Sequence, residues 1–214
     1  AKNRLGGLDT DLGLGLTDAE DPSFNGDMTQ IVFRRTGAAD PGAEDIYVVG
    51  VYIDEAANTI TPSPTGPVNL TRTGSAYTEK QPGYSPDGTK IIFVSDAWDM
   101  RDQIFVMNAG RDGSTGNGLR LAVADEAGTA NLAYPVFGPV NAEPAYWTIA
   151  YVSGTAPRTI KWARLAKEGT SVAEDAAGDP GAEDTGIAPT ADKFAWGVLR
   201  TRGSIVARHS PRKL

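Results

Sequence analysis

The sequence predicts an all-β protein whose strands are grouped as the blades of a β-propeller. Three observations lead there. Gln81–Asp96 (QPGYSPDGTKIIFVSD), followed by Asp102–Gly110 (DQIFVMNAG), reads as strand, turn, strand, loop, strand. A degenerate form of that pattern recurs elsewhere in the chain, at a spacing of about 50–60 residues. The composition, with 25 glycines, 14 prolines and few long apolar runs, suits a turn-rich β protein.

Each element of the central unit has a local cause. Pro82 lacks an amide proton and Pro86 fixes φ, so the first strand is short and ends in a turn. In Pro86-Asp87-Gly88 the proline presets the first corner, Asp87 bonds its own backbone and Gly88 takes positive φ. Lys90–Ser95 then supplies Ile91-Ile92-Phe93-Val94, apolar on both faces, as in a strand whose sheet is covered on both sides. Asp96–Asp102 is polar and turn-like. Ile104–Met107 is a second buried run, Asn108–Gly118 is loop, and Leu119-Arg120-Leu121 supplies a fourth, outer strand. Four antiparallel strands in a meander make one propeller blade.

These residues also carry a resemblance. PGYSPDGTKIIFVSD followed by IFVMNAG resembles the TolB-type, WD-like β-propeller repeat. That family writes its blades with an aromatic before S-P-D-G, an apolar pair with an aromatic, Ser-Asp, and then I-(Y/F)-V-M-N or similar. The match is close over Gln81–Gly110 and degenerate elsewhere. The resemblance implies a propeller fold, a periplasmic setting and a role in protein–protein assembly. TolB-like propellers also cap peptidase domains or bind carbohydrate, which keeps an accessory domain of a hydrolase as the alternative.

Aligned on the central unit, Asp21–Asp27 matches Gln81–Asp87 without a gap. Ile31-Val32-Phe33 matches Ile91-Ile92-Phe93, and Ile46-Tyr47-Val48 matches Ile104-Phe105-Val106. Leu70-Thr71 falls where the outer strand belongs, and Val51–Val68 is partly an insertion. Downstream, Tyr134–Pro139, Ile149–Ser153 and Ile160-Lys161-Trp162 repeat the first three strands. A fourth unit aligns Pro189 with Pro86, Lys193–Trp196 with Lys90–Phe93, and Ser204–Ala207 with the third strand. Expected blades span about 18–72, 78–124, 131–174 and 185–208 within one domain, with 209–214 a basic tail. The fourth unit lacks an outer strand of its own, and Leu14–Thr17 matches Val68–Thr71. Pairing the two closes a four-bladed ring and hides both edges. The other reading is part of a larger ring.

Charge and composition narrow the function classes. The formal net charge of −7 argues against general nucleic-acid binding. The chain has no cysteine, so thiol nucleophiles, disulfides and thiolate metal sites are excluded. Its single histidine, His209, sits in the basic tail, which leaves no basis for a Ser-His-Asp triad or a histidine zinc site. There is no transmembrane-length apolar run. The chain opens on Ala1 without Met, which reads as a mature exported protein or as a fragment of a longer one.

The candidate contacts are of the partner-binding kind. Asp96, Trp98, Asp99 and Arg101 share the loop between the second and third strands of the central unit. An exposed tryptophan among charges is typical of an interface anchor. Asp96, Asp99 and Asp102 also offer oxygens to a hard cation such as calcium, without the glycine and glutamate of a helix-loop-helix calcium motif. Arg34 and Arg35 fall at the end of a second strand, facing a rim or the central channel. Arg208, Arg212 and Lys213 make a basic tail behind an acidic run, Glu174–Asp184. The expected function is a non-enzymatic, exported interaction module that needs no cofactor and docks on other proteins, a membrane-associated complex among them.

Overall fold

A computed structural model describes residues 12–14, 16, 18–37, 40–57, 59–73, 77–97, 100–110, 119–124, 130–139, 146–154, 158–166, 183–184, 199–201 and 204–206. Every regular element in it is a strand.

The first sheet runs β1 (Ala19–Phe24), β2 (Gln30–Gly37) and β3 (Asp40–Asp54), all antiparallel. β3 is long enough to pair twice. Its first half takes the outer strand β5 (Val68–Asn69), and its second half runs past the sheet to pair with β4 (Thr59–Pro62). The second sheet is β6 (Glu79–Tyr84), β7 (Lys90–Ser95), β8 (Gln103–Asn108) and β9 (Arg120–Val123). The third is β10 (Leu132–Phe137), β11 (Tyr146–Ser153), β12 (Thr159–Ala166) and β13 (Glu183–Asp184). β14 (Leu199–Thr201) and β15 (Ser204–Val206) form a hairpin.

The apolar runs behave as strands covered on both faces. Ile91 and Phe93 of β7 point to the first sheet and pack with Val32, Ile46, Val48 and Leu70. Ile92 points the other way, into Leu132, Trp147, Ile149 and Tyr151 of the third sheet. All three β7 side chains are fully buried. Burial on this scale contributes roughly 1.5–3 kcal/mol per large side chain. Phe33–Tyr47 and Phe93–Phe105 occupy the same register position in the first and second sheets, each with ring centroids 6.0 Å apart.

The turns repeat as closely. Asn25 and Ser85 each close a loop by bonding the strand that follows, and Asp27 and Asp87 each accept the amide two residues on. Gly88 takes φ 70°, as its turn requires, whereas the first sheet puts Met28 there at φ 60°.

Every inner strand carries a bulge at one place, immediately before a proline. Asp21, Gln81 and Tyr134 have φ of 52°, 56° and 52°. The Gln81 amide donates to Asp21 Oδ2 at 3.3 Å, and the Tyr134 amide donates to Gln81 Oε1 at 2.6 Å. The three inner strands are thus chained in order, with β6 against β1 and β10 against β6.

One expectation changes. The outer strand of the third sheet is Glu183–Asp184, inside the stretch read as an acidic loop; it pairs with Lys161 and Trp162. The segment meant to close the ring at Leu14–Thr17 forms no strand among its described residues. Leu12, Leu14 and Leu16 instead lie on the apolar face made by Ile31, Phe33, Val49 and Val51. That face of the first sheet is turned away from the second sheet and must be covered. Among the described residues β15 pairs only with β14. Thr17, Ala207 and Lys193–Trp196 lie outside the described residues.

Candidate functional site

The meander sorts residues onto two rims. Where β2 and β7 end, the chain is charged. Where β1, β6 and β10 end, it is turn-rich, and the β3–β4 arm projects from there.

On the charged rim, Arg34 sits within an acidic ring. It donates to Glu20 and Glu44, the latter at 2.6 Å, and lies 3.7 Å from Asp21. Burial opposes the charge on Arg34, yet the bond to Glu44 and the three carboxylates raise its pKa above the ordinary value. Arg35 reaches Asp18 at 3.3 Å and lies over the Tyr47 ring at 5.7 Å. Both arginines singled out in the sequence are therefore held by the first sheet itself.

The Asp96–Asp102 loop is likewise built in. Asp96 accepts the Thr78 amide at 2.8 Å, Asp102 meets Lys80 at 2.9 Å, and the Asp102 amide donates to Asn131 at 3.3 Å. Arg101 is half-buried beside them, and Met100 is exposed with φ 62°. Among the described residues no group of three or more His, Cys, Asp or Glu is placed to hold a metal ion. Trp98, Asp99, Arg208, His209, Arg212, Lys213 and the acidic run before Glu183 lie outside the described residues. Trp147 is core, in edge-on contact with Phe137; Trp162 is half-buried under Arg164.

The opposite rim carries what the sequence reading missed. β3 and β4 leave the sheet as a two-stranded arm with Tyr52 opposite Thr61 and Ile53 opposite Ile60. Tyr52, Ile53 and Ile60 are exposed, Tyr52 at 64%. The arm starts beside the first turn, because the Val51 amide donates to the Thr29 carbonyl at 2.8 Å. That turn adds Phe24 and Met28, also exposed. Five of the six exposed large apolar side chains among the described residues thus belong to one corner of the first sheet. Its only charges in Phe24–Thr29 and Val51–Pro62 are acidic: Asp27, Asp54 and Glu55. The signal available in the sequence was Tyr-Ile and Thr-Ile flanking Asp-Glu-Ala-Ala-Asn, a hairpin with nothing to bury it.

No protein-family model matches the chain, and no curated protein matches it. Solved structures similar to it include TolB proteins. One, assigned as TolB in Agrobacterium tumefaciens, has a TM-score of 0.44 and 19% identity, over 72% of this chain and 47% of that one. TolB from Acinetobacter baumannii has a TM-score of 0.39 and 20% identity, over 71% of this chain and 30% of that one. The chain therefore spans less than half the length of either.

Proposed function

We propose that the chain is a non-enzymatic propeller module that binds another protein through the rim bearing the β3–β4 arm. The single observation that carries this is the arm itself. Exposed apolar side chains gathered at one corner of a sheet mark an interaction site. Aromatic and aliphatic residues ringed by acids make an interface with an apolar centre and a polar rim. Among the described residues, Arg34, Arg35 and Lys80 of the other rim are paired within the fold, with Glu20, Asp21, Glu44, Asp18 and Asp102. A ring of four sheets and an exported location belong to the same reading. They rest on the recurring units and on the likeness of Gln81–Gly110 to TolB-type repeats. No helix among the described residues is long and apolar enough to cross a membrane.

The test is native mass in a gentle extract of the source, for the wild type and for a variant carrying Tyr52→Ser, Ile53→Ser and Ile60→Ser. The wild type is expected in a defined complex and the variant alone, with the same circular dichroism. Wild type migrating at its own 22.5 kDa, or a variant still in the complex, overturns the reading.

A further inference from the structure

Residues 69–73 and 77–79, on the crossing from the first sheet to the second, surround two buried carboxyl groups. Asp45 of β3 is 4% exposed and Glu79, which opens β6, is 1% exposed. Asp45 is surrounded by donors. Its Oδ1 accepts the Thr71 hydroxyl at 3.1 Å and the Thr73 amide at 3.2 Å, and its Oδ2 accepts the Asn69 side-chain amide at 2.7 Å. Glu79 is not. Its Oε1 accepts the Thr73 hydroxyl at 2.6 Å, and its Oε2 is buried with no partner. The Thr73 hydroxyl stands between the two acids, 3.5 Å from Asp45 Oδ1.

Charged groups on the elements packed around Glu79 are committed elsewhere. Arg34 of β2 is held by Glu20 and Asp21 of β1 and by Glu44 of β3, and Arg35 is held by Asp18. Lys80 of β6 is held by Asp102, and Asp96, which follows β7, accepts the Thr78 amide. Arg72 in the crossing segment is exposed, and β10 brings only the titratable Tyr134. Among the described residues no cation is paired with Asp45 or Glu79.

Of two carboxylates sharing a dry site, one holds its proton well above the ordinary carboxylate range. The donors converge on Asp45 and leave Glu79 Oε2 without one, so Glu79 is the carboxyl that holds a proton. The same strand positions at the next junction are Gln103 and Leu132, by the register of Glu79 with Ser95 and Gln103, and of Leu132 with Ser153. That junction has nothing to titrate there.

We propose that Asp45 and Glu79 form a proton-binding site at the junction of the first two sheets. One proton held there keeps the crossing segment bonded to both, and its loss loosens that segment. Burial, reinforced by the Asp45 charge and opposed by the threonine hydroxyls, pushes the Glu79 carboxyl up to about 7, so the change falls near neutrality.

The experiment is amide hydrogen exchange on the full chain, corrected for intrinsic rates, at pH about 5.5 and about 8.5. In the wild type, protection of residues 69–73 and 77–80 is expected to fall roughly tenfold at the higher pH. Glu79→Gln supplies a donor without a titrating proton, so its protection is expected to be the same at both pH values. Equal pH dependence in the two proteins overturns the proposal. A carboxyl carbon NMR titration of the wild type stands beside it, in case the variant does not fold. A Glu79 midpoint in the ordinary glutamate range is equally fatal.

Discussion

The backbone amide of Tyr134 donates to the side chain of Gln81 at 2.6 Å, and so ties the inner strand of the third sheet to that of the second. Gln81→Ala removes that acceptor. It is expected to lower stability by roughly 1–2 kcal/mol in urea denaturation, because a half-buried amide loses its partner. Gln81→Glu keeps an acceptor oxygen at that reach and is expected to lose less.

Met28 occupies the turn position that Gly88 holds in the second sheet, with φ 60° against 70°. A side chain in the left-handed region costs about 1–2 kcal/mol, and Met28 is half exposed, so little packing offsets it. Met28→Gly is therefore expected to raise stability by about 0.5–1 kcal/mol after the added chain entropy of glycine. Gly88→Ala, which meets nothing within 4 Å, is expected to lose about 1 kcal/mol from backbone conformation alone. Thermal midpoints of the two variants, moving in opposite directions, check both.

Arg34→Met leaves Glu20, Asp21 and Glu44 facing one another. The expected loss is roughly 1–3 kcal/mol at neutral pH, between the values for exposed and for buried pairs. The loss shrinks in acid, where the carboxylates take up protons. Arg34→Lys recovers only part of it, since one ammonium cannot reach acids on two strands as a guanidinium fork does. Denaturation of the three proteins at neutral and acid pH separates these outcomes.

For Glu79 the direction of the pH dependence is fixed by its raised pKa. Below the ordinary value of 4.5 both folded and unfolded chains carry the proton, so the Glu79 contribution there does not vary with pH. As pH rises toward about 7 the unfolded chain releases its proton first, so folding loses on the order of 3 kcal/mol across that window and then levels off. Glu79→Gln removes that slope, and a stability-against-pH curve for the pair shows whether it does.

On the arm, Tyr52→Ser and Ile60→Ser remove exposed side chains and are expected to change stability by no more than about 0.5 kcal/mol. A larger loss in calorimetry means that the arm packs against something within the chain.

The strands were legible wherever one segment carried its own evidence. Ile91–Val94 and Ile104–Met107 read as covered on both faces because they are apolar at every position, and the sheets do cover them. The turns were legible because Asp27 and Asp87 do the same local job. What the sequence could not show depends on which residues end up opposite each other. Asp45 and Glu79 are separated by 34 positions of chain, and a lone acid among threonines reads as solvated until the register buries it. Arg34 pointed to a rim, but its three acidic partners come from β1 and β3. Leu12, Leu14 and Leu16 alternate like a strand, yet their role among the described residues is to cover a face. The arm was visible only as an insertion, since nothing local tells a hairpin inside the sheet from one that leaves it.

The bulge before each proline has a consequence for how the chain is acquired. Each inner strand supplies the acceptor that its successor needs, Asp21 for Gln81 and Gln81 for Tyr134. A sheet that emerges later finds its docking point already formed on the one before it, with no need to wait for the end of the chain. The molecule is thereby suited to growth from its N-terminus, one sheet at a time, as a nascent polypeptide is released.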